Sequence, residues 1–402
     1  MTGAALETGA VESAPESQKD RFESVIFSDC ATAFSANPQV LHLVPKRCLQ
    51  SDKVFLGSTK DVWGRLDIFE SLRLEFATVP LLEDETAWSK ARLNIKRLKK
   101  FVSFLAPQAP FRMVIFDMPG SCPGLAAHVR KMFPESKLVF RSHNAEFFHR
   151  LDRVSYFESW ADRFRLFGIA LKQPLRDRRM VATVDEVWTI SEVDAKFYWK
   201  PLAASRGEAG KVSVMPYFMA DKYETMIDRA ALASKDNSIV CISSGRTKPG
   251  RIEPNVEEFF QFVEKHGSSP ELEGWRFEVT GSLQAGWRPA KVTELGYLPT
   301  PFDAVARSKY VFLHADSGWG FKTKILDALL CDNVLVVSKG MYKKLPKEVR
   351  SQALLVNSFK DLRKALMRGA GQSDVYAGFR LNDSLKKQAI RVFTDSWRSL
   401  CH

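Results

Sequence analysis

The chain has 402 residues, and this length favours two domains over one. Apolar residues make up 45% and charged residues 26%, which is typical of globular proteins and excludes wholesale disorder. Lys and Arg outnumber Asp and Glu by 59 to 47, so the net charge is +12. This excess favours a polyanionic partner, such as nucleic acid, an anionic membrane surface or a phosphorylated small molecule.

The cysteines and the N-terminal residues indicate the cellular compartment. None of the six cysteines forms a C-x-x-C motif, so neither a zinc ribbon nor a redox pair is predicted. We expect reduced thiols in a cytoplasmic protein, because a chain of this length builds its core without disulfides. Residues 1–21 are expected to be a disordered lead-in and lack the pattern of a secretory signal. No apolar run is long enough to cross a bilayer.

Apolar runs alternate with amphipathic segments along the first half of the chain. The predicted elements are, in order, strand 24–29, helix 86–105, strand 113–120, helix 124–134, strand 137–144, a basic helical stretch at 145–182, and strands 184–191 and 211–218. Strand, helix and strand within about thirty residues form a βαβ unit, which indicates a parallel sheet.

The same alternation restarts in the second half. The predicted elements there are strand 238–245, helix 255–267, strands 276–282, 292–298 and 309–315, helix 321–331, strand 333–339 and helix 384–400. The sequence therefore predicts an α/β protein with two Rossmann-like, doubly wound domains at 22–217 and 218–383. The C-terminal segment 384–402 is expected to pack back on the first domain. Ligand sites of such sheets lie at the carboxyl ends of the strands, so the cleft between the domains is the expected site.

The segment DSGWGFKTKILDALLC (316–331) is the most informative part of the chain. Gly318 and Gly320 precede a predicted helix, where glycines allow close approach of the backbone to a ligand. Lys322 and Lys324 follow in its first turn, although the helix dipole disfavours cations there. A bound diphosphate would explain these lysines, and a glycine-containing loop with solvated lysines is the alternative.

This segment resembles the donor-site signature G-x-G-(I/F)-K-x-K-x-L-E-A of retaining GT-B glycosyltransferases, the glycogen-synthase-like superfamily (family four). The segments RSHNAEFFHRL (141–151), VDEVWTISEVDAKFY (184–198) and VSVMPYFMAD (212–221) resemble further segments of bacterial members, in the expected order. The resemblance covers roughly 110–340. It implies a GT-B arrangement and transfer of a sugar from a nucleotide-diphosphate sugar with retention of configuration. It also implies that no metal or other cofactor is needed.

The resemblance assigns donor-binding roles to particular residues. Arg246 matches an Arg that grips the donor diphosphate, Arg251 stands where a Lys is usual, and Lys248 lies close by. Lys322 and Lys324 would complete this diphosphate site, since preorganised cations stabilise the charge that develops on a leaving diphosphate.

Two acidic residues are candidates for the ribose and sugar contacts of the donor. The family commonly places two Glu residues eight positions apart, the first of which touches the donor sugar. Trp319 occupies the first position here and the shorter Asp327 the second. Asp327 is therefore a candidate for the ribose hydroxyls, and Asp316 for the contact that Trp319 cannot make.

His143 and Asn144 end a predicted strand on the ligand side of the first sheet, and they are our candidate catalytic residues. The resemblance implies that a His here lines the donor-sugar and acceptor side of the cleft; satisfying backbone groups at a strand end is an equally weighted alternative. Glu146 is expected to order this turn and Asp185 to anchor its loop. The family's glycine-rich turn after the first strand is missing from 28–37.

The basic surface suggests where the acceptor is found. The stretches 92–105 and 163–180 combine cations with Phe, Leu and Ile, which suits an anionic membrane surface or a lipid diphosphate acceptor. Solvated faces over an ordinary core are equally compatible with this pattern. The expected partners are a nucleotide sugar and a glycan or lipid-linked acceptor, at the inner membrane face. Nucleic acid is not expected, because no binding motif is present.

Other functions on the same fold stay open. Trp319 and the missing glycine turn would also fit a catalytically silent binding module. A nucleotide-sugar epimerase would act without an acceptor. A phosphorylase would need a site for free phosphate or pyridoxal phosphate, and the sequence shows no obvious one.

Overall fold

The structure of the protein is a computed structural model. It describes residues 38–49, 57–82, 88–104, 111–118, 120–154, 159–229, 231–243, 253–281, 283, 287–298, 300–316, 322–345, 347–369 and 376–400.

The first half of the chain contains a six-stranded sheet whose strands all pair in parallel. Its strands are β1 (Val40–Pro45), β2 (Phe76–Leu81), β3 (Met113–Met118), β4 (Lys137–Ser142), β5 (Glu186–Thr189) and β6 (Val212–Val214). The order across the sheet is β2-β1-β3-β4-β5-β6. Because β1 is flanked by β2 and β3, the connections run outward in both directions from this point, as in doubly wound sheets.

Helices connect these strands. They are α1 (Gly57–Ser71), α2 (Trp88–Phe104), α3 (Pro123–Met132), α4 (Glu146–Val154), α5 (Trp160–Thr183), α6 (Glu192–Asp194), α7 (Lys200–Ala204) and α8 (Asp221–Glu224). A π-helical turn, Ala195–Trp199, joins α6 to α7. Short 3-10 segments lie at Lys46–Leu49 and Ala209–Lys211.

The second half contains another six-stranded sheet with parallel strand pairs. Its strands are β7 (Asp236–Cys241), β8 (Arg276–Val279), β9 (Val292–Glu294), β10 (Ser308–Leu313), β11 (Val334–Val337) and β12 (Ala353–Leu355), in the order β12-β11-β10-β7-β8-β9. Its helices are α9 (Pro254–His266), α10 (Phe302–Arg307), α11 (Thr323–Leu330), α12 (Lys339–Lys344), α13 (Phe359–Arg368) and α14 (Ala377–Arg398). Short 3-10 segments lie at Ala231–Ala233, Pro270–Leu272 and Lys347–Gln352.

The C-terminal helix α14 contributes to the core of the first sheet. Phe393 is fully buried, and its ring lies 5.6 Å from that of Phe69 on α1 and 5.8 Å from that of Trp188 on β5. At its other end, the Asn382 side chain donates to the Met219 carbonyl (2.9 Å) and accepts from the Met219 backbone N–H (2.7 Å). The helix thus packs across the segment that joins the two sheets.

The predicted α/β fold class with two Rossmann-like units is confirmed. In the first half, β1, α1 and β2 were not predicted, and in the second half α10, α12, β12 and α13 were not predicted. The predicted first strand at 24–29 lies outside the described residues. Helix α1 escaped prediction because Lys60, Asp61 and Arg65 are buried, so its inner face does not read as apolar. The domain boundaries stay predictions; the first sheet ends at Val214 and the second begins at Asp236.

Two further features concern the cysteines and the membrane-spanning potential of the helices. Four cysteines of the described part are buried free thiols: Cys48, Cys122, Cys241 and Cys331. No helix within the described ranges has both the length and the apolar character that a membrane span requires.

Candidate functional site

Lys324 binds the start of α11 to the carboxyl end of the second sheet. Its Nζ donates to the Ile242 carbonyl just after β7 (2.6 Å) and forms an ion pair with Glu253 just before α9 (3.0 Å). The lysine therefore joins two connections of the sheet at the edge where the sequence predicted the diphosphate.

Lys322 immediately precedes α11 and is surrounded by positive charge. Burial, together with the charges of Lys324 and Lys344, lowers the pKa of Lys322 to about 8. Glu253 and Asp152 oppose this effect, and Asp152 lies on α4, which follows β4 of the first sheet. Lys322 thus lies where the second half of the molecule approaches the first half.

The N-termini of α1 and α11 meet at this place. A Cβ built on Gly57, the first residue of α1, would lie only 2.7 Å from Oγ1 of Thr323, the first residue of α11. A side chain at position 57 would displace the Thr323 side chain or push the helices apart, so this close approach requires a glycine. Two positive helix ends beside Lys322 and Lys324 make this a favourable location for an anion.

Asp316 lies after β10 and over the start of α12. A Cβ on Gly340 would overlap its carboxylate, and its Oδ1 accepts from Lys344 Nζ (2.7 Å). Slightly more than half of the Asp316 side chain is exposed, at 53%. The predicted contact of Asp316 with the donor sugar stays a prediction.

Asp327 lies on α11 with its carboxylate buried against the first half of the molecule. Lys60 of α1 donates to both of its oxygens at 2.7 Å, and both side chains are almost fully buried. The contact of Asp327 with a donor ribose stays a prediction, and in this geometry its oxygens already accept hydrogen bonds across the junction of the two sheets.

On the first sheet, His143 belongs to a buried cluster at the carboxyl end of β4. Asp117 of β3 accepts hydrogen bonds from Nε2 of His143 and from Nε2 of His42 (3.1 Å). Burial alone would raise the pKa of Asp117, but the charge and hydrogen bonds of these histidines hold it well below its usual range. Asn144 is half-buried, and its carbonyl accepts from Ser142 Oγ (2.9 Å).

Asp61 completes the cluster from α1. Arg141 of β4 donates to both of its oxygens (2.9 and 2.8 Å), and Arg65 Nη1 lies 3.2 Å away. Burial opposes ionisation, yet these two guanidinium groups lower the pKa of Asp61. His143 Nε2 lies 3.6 Å from Asp61.

Several polar atoms of this cluster are buried without a hydrogen-bond partner in the described part of the chain. They include Nδ1 of His143, Nδ1 of His42 and the guanidinium nitrogens of Arg65. Since Nε2 of His143 binds Asp117, Nδ1 is the ring atom with which His143 can still bind a ligand.

The charges of the cluster argue against a divalent metal ion. Potential ligand atoms of Asp61, Asp117 and His143 lie within 4.8 Å of one another. However, Arg141 and Arg65 already pair with Asp61, and His42 and His143 bind Asp117. A divalent cation would add uncompensated positive charge to a buried site, which costs free energy. The group therefore fits an internal ion network better than a metal centre.

The remaining predicted residues are accounted for as follows. Those that lie outside the described residues are Arg246, Lys248, Arg251, Gly318 and Gly320. Glu146 opens α4 and pairs with Arg150 (3.4 Å). Asp185 accepts from the Leu138 backbone (2.7 Å) and pairs with Arg130, so its anchoring role is confirmed.

Sequence reasoning missed most of the residues around His143. Asp117 carried a usable signal, because it interrupts the apolar run VIFDM near the carboxyl end of a strand. Elements β1 and α1 were not predicted. Their residues His42, Asp61 and Lys60 therefore could not be assigned to a site from the sequence.

Comparison with known proteins relates the fold to solved structures. No family model matches the sequence, and no curated protein matches it in sequence. HepE of Anabaena in complex with UDP-glucose is 11% identical, with a TM-score of 0.52, over 89% of this chain and 99% of that one. An α,α-trehalose-phosphate synthase (UDP-forming) from Burkholderia vietnamiensis is 14% identical, with a TM-score of 0.55, over 90% and 96%. A glycosyltransferase from Rickettsia africae is 10% identical, with a TM-score of 0.51, over 91% and 99%.

These identities are too low to show more than the architecture. The matches nevertheless extend over both sheets and over nearly the whole of each solved chain. The protein therefore has the two-sheet fold of the GT-B glycosyltransferases.

Proposed function

We propose that this protein transfers a sugar from a nucleoside-diphosphate sugar to a glycan or lipid-linked acceptor, with retention of configuration. The observation that carries the proposal is the meeting of the α1 and α11 N-termini beside Lys322 and Lys324. A bound anion would offset the repulsion among two positive helix ends and two lysines, which Glu253 and Asp152 reduce. The solved UDP and UDP-glucose complexes of HepE support a nucleoside-diphosphate sugar as the ligand.

The cations of this site suit the departure of a nucleoside diphosphate. Negative charge concentrates on the phosphate oxygens as the sugar leaves, and preorganised donors stabilise it without reorganisation during the step. Lys324 is already held by Ile242 and Glu253, so its ammonium group is fixed before the donor arrives.

In the described part of the first half, the buried carboxylates beside His143 are already paired and are not evident nucleophiles or bases, so we assign retention to the leaving group itself. Asp61 and Asp117 are neutralised by arginine and histidine side chains. In such a site, the departing phosphate can accept the proton of the acceptor hydroxyl on the face from which it leaves. We assign His143, through Nδ1, to the donor-sugar and acceptor side, and we assign no metal to the reaction.

Binding of a nucleoside diphosphate tests the proposal directly. Replacing Lys322 or Arg246 by Ala should weaken binding by roughly 1.5–3 kcal/mol, the range for hydrogen bonds to charged groups, which is a factor of about 10 to 150. Lys343→Ala, which removes an exposed lysine of α12, is the matched control and should bind normally. Calorimetry measures the affinities, and a chelator should alter neither binding nor transfer. Unchanged affinity in both site variants would contradict the assignment.

One observation favours a second candidate, a binding module without catalytic activity. Lys60 engages both oxygens of Asp327, the residue at the second Glu position of the family signature. The group that the resemblance assigns to the donor ribose would then be unavailable. Donor hydrolysis or transfer by the wild-type protein decides between the two, because a silent module would bind the nucleotide sugar and leave it intact.

A further inference from the structure

Helix α5 carries a continuous apolar stripe that faces solvent. Trp160 is 69% exposed, Phe164 70%, Phe167 43%, Leu171 53% and Leu175 63%. Their spacing of four, three, four and four residues places all five on one side of the helix. Exposed large apolar side chains normally occur singly on a protein surface. A continuous exposed stripe therefore indicates an interaction site.

The opposite side of α5 fixes the helix to the protein. Ala170, Gln173, Met180 and Val181 are buried, and Asp177 accepts hydrogen bonds from Ser121, Gln173 and Tyr198. From Ala170 onward the inner face of the helix is therefore packed against the protein, and this anchors the exposed stripe.

A row of cations runs beside the stripe. Arg165, Lys172 and Arg179 are exposed and follow one another at seven-residue intervals, so they line one flank of the helix. Arg178 continues the line of the stripe itself. Long basic side chains beside aromatic ones suit a surface with an apolar interior and an anionic rim.

Helix α2, the other basic stretch, lacks this combination. Leu98 and Phe101 are fully buried, and Lys96, Lys99 and Lys100 occupy its exposed side. Its cations therefore lie over an ordinary core. Among the helices that the structure describes, only α5 pairs exposed cations with a row of exposed aromatic and aliphatic side chains.

We propose that α5 is a docking surface for an anionic phospholipid membrane. A second copy of this chain fits less well, because pairing two such faces would bring two rows of cations together. The phosphates of anionic lipids match the row, and the aromatic side chains enter the interface between headgroups and acyl chains.

The position of α5 also bears on the acceptor of the proposed reaction. This part of the inference rests on the proposed function. Helix α4 packs along α5, and Asp152 of α4 is close enough to influence the charge of Lys322. A membrane bound at α5 would therefore lie beside the opening of the donor site. This arrangement favours an acceptor carried by a lipid.

Co-sedimentation of the full chain with vesicles tests the docking without any transfer assay. The protein should bind vesicles of phosphatidylglycerol and phosphatidylcholine, ignore pure phosphatidylcholine, and dissociate as salt rises. Charge reversal of Arg165, Lys172 and Arg179 to Glu should lower the partition coefficient by at least about a hundredfold, given the contribution of each cation near an anionic surface. Phe164→Ser with Leu171→Ser should also abolish binding at moderate salt.

The matched control carries the same charge change on α2, with Lys96, Lys99 and Lys100 reversed to Glu. It should retain most of the binding, and every variant should keep wild-type nucleotide affinity and melting temperature.

Equal losses from α2 and α5 would mean that binding follows net charge, which would overturn the assignment to α5. A dimer that Phe164→Ser dissociates, in a protein that ignores vesicles, would overturn it in favour of self-association. Failure of nucleotide binding alone would affect the proposed function and leave the docking intact.

Discussion

Lys322 is partly buried and lies at the positive end of a helix. Both features disfavour its protonated form. Burial and the neighbouring Lys324 and Lys344 lower its pKa to about 8. A bound diphosphate would reverse this effect, because an anion favours the protonated form. The protonation of Lys322 should therefore respond to the charge of a ligand bound here.

The affinity for a nucleoside-diphosphate sugar should fall as the pH rises through 8. Below this pH Lys322 is mostly protonated before the ligand binds, whereas above it binding must be accompanied by uptake of a proton. The dissociation constant should then rise by up to about tenfold per pH unit, until the pKa of the complex is reached. Calorimetry between pH 7 and 9 measures this slope.

Lys322→Arg is the control, because a guanidinium group remains charged throughout this range. The variant should bind with a flat pH profile, even if its geometry lowers the affinity. A slope that persists in Lys322→Arg would assign the titration to another group.

The chemistry of single residues was predictable only where it followed from local position. Cations at a helix start, as at Lys322, are locally anomalous and can be recognised from the sequence. The partners of His143 cannot, because Asp117 and His42 are separated from it by 26 and 101 positions and meet only through the register of the sheet. Arg141 belongs to the segment RSHNAEFFHRL that resembles the family. The sequence does not indicate that Arg141 pairs with Asp61.

At the scale of elements, helices α1 and α11 form the proposed donor site. Each begins at the carboxyl edge of its own sheet, and Gly57 allows the two ends to come together. The sequence predicted α11 well, since ILDALL is an apolar helix between two strands. It did not predict α1, whose buried Lys60, Asp61 and Arg65 read as a polar segment until their partners are known.

Gly57→Ala should separate these helix ends. The added methyl group would lie 2.7 Å from Oγ1 and 3.2 Å from Cγ2 of Thr323, so one helix must shift. Overpacking of this kind costs about 1–3 kcal/mol. We expect a lower melting temperature and weaker nucleotide binding, measured by thermal unfolding with and without ligand.

Two further variants identify the cause. Thr323→Ala in the Gly57→Ala background removes both clashing atoms and should restore the melting temperature. Gly124→Ala places a methyl group in the first turn of α3 with no neighbour within 4 Å, so it should be neutral or slightly stabilising. A Gly57→Ala protein as stable as the wild type would show that the helix ends are not in close contact.

At the scale of the whole molecule, a few polar contacts connect the two sheets and the segment between them. Lys60 reaches Asp327 from α1, and the Asp67 carboxylate accepts from the Asp221 backbone N–H (2.7 Å). Asn382 of α14 holds the connecting segment at Met219. The two-unit architecture was predictable from alternating strands and helices. These junctions were not, because each depends on side chains from elements far apart in sequence.

Lys60→Met should destabilise the molecule strongly because it leaves the Asp327 carboxylate buried without its cation. The cost of breaking such a buried pair is about 3–5 kcal/mol. Methionine is similar in length to lysine but lacks the ammonium group, which also lies 5.5 Å from the centre of the Phe302 ring, so the loss reports mainly on the charge. Adding Asp327→Leu removes the stranded charge and should recover most of the stability. Lys387→Met, which breaks the exposed pair with Asp383, serves as the control and should change stability by less than about 0.5 kcal/mol. Thermal unfolding of the three variants measures these differences. If Lys60→Met were as mild as Lys387→Met, the ion pair would not be buried between the two sheets.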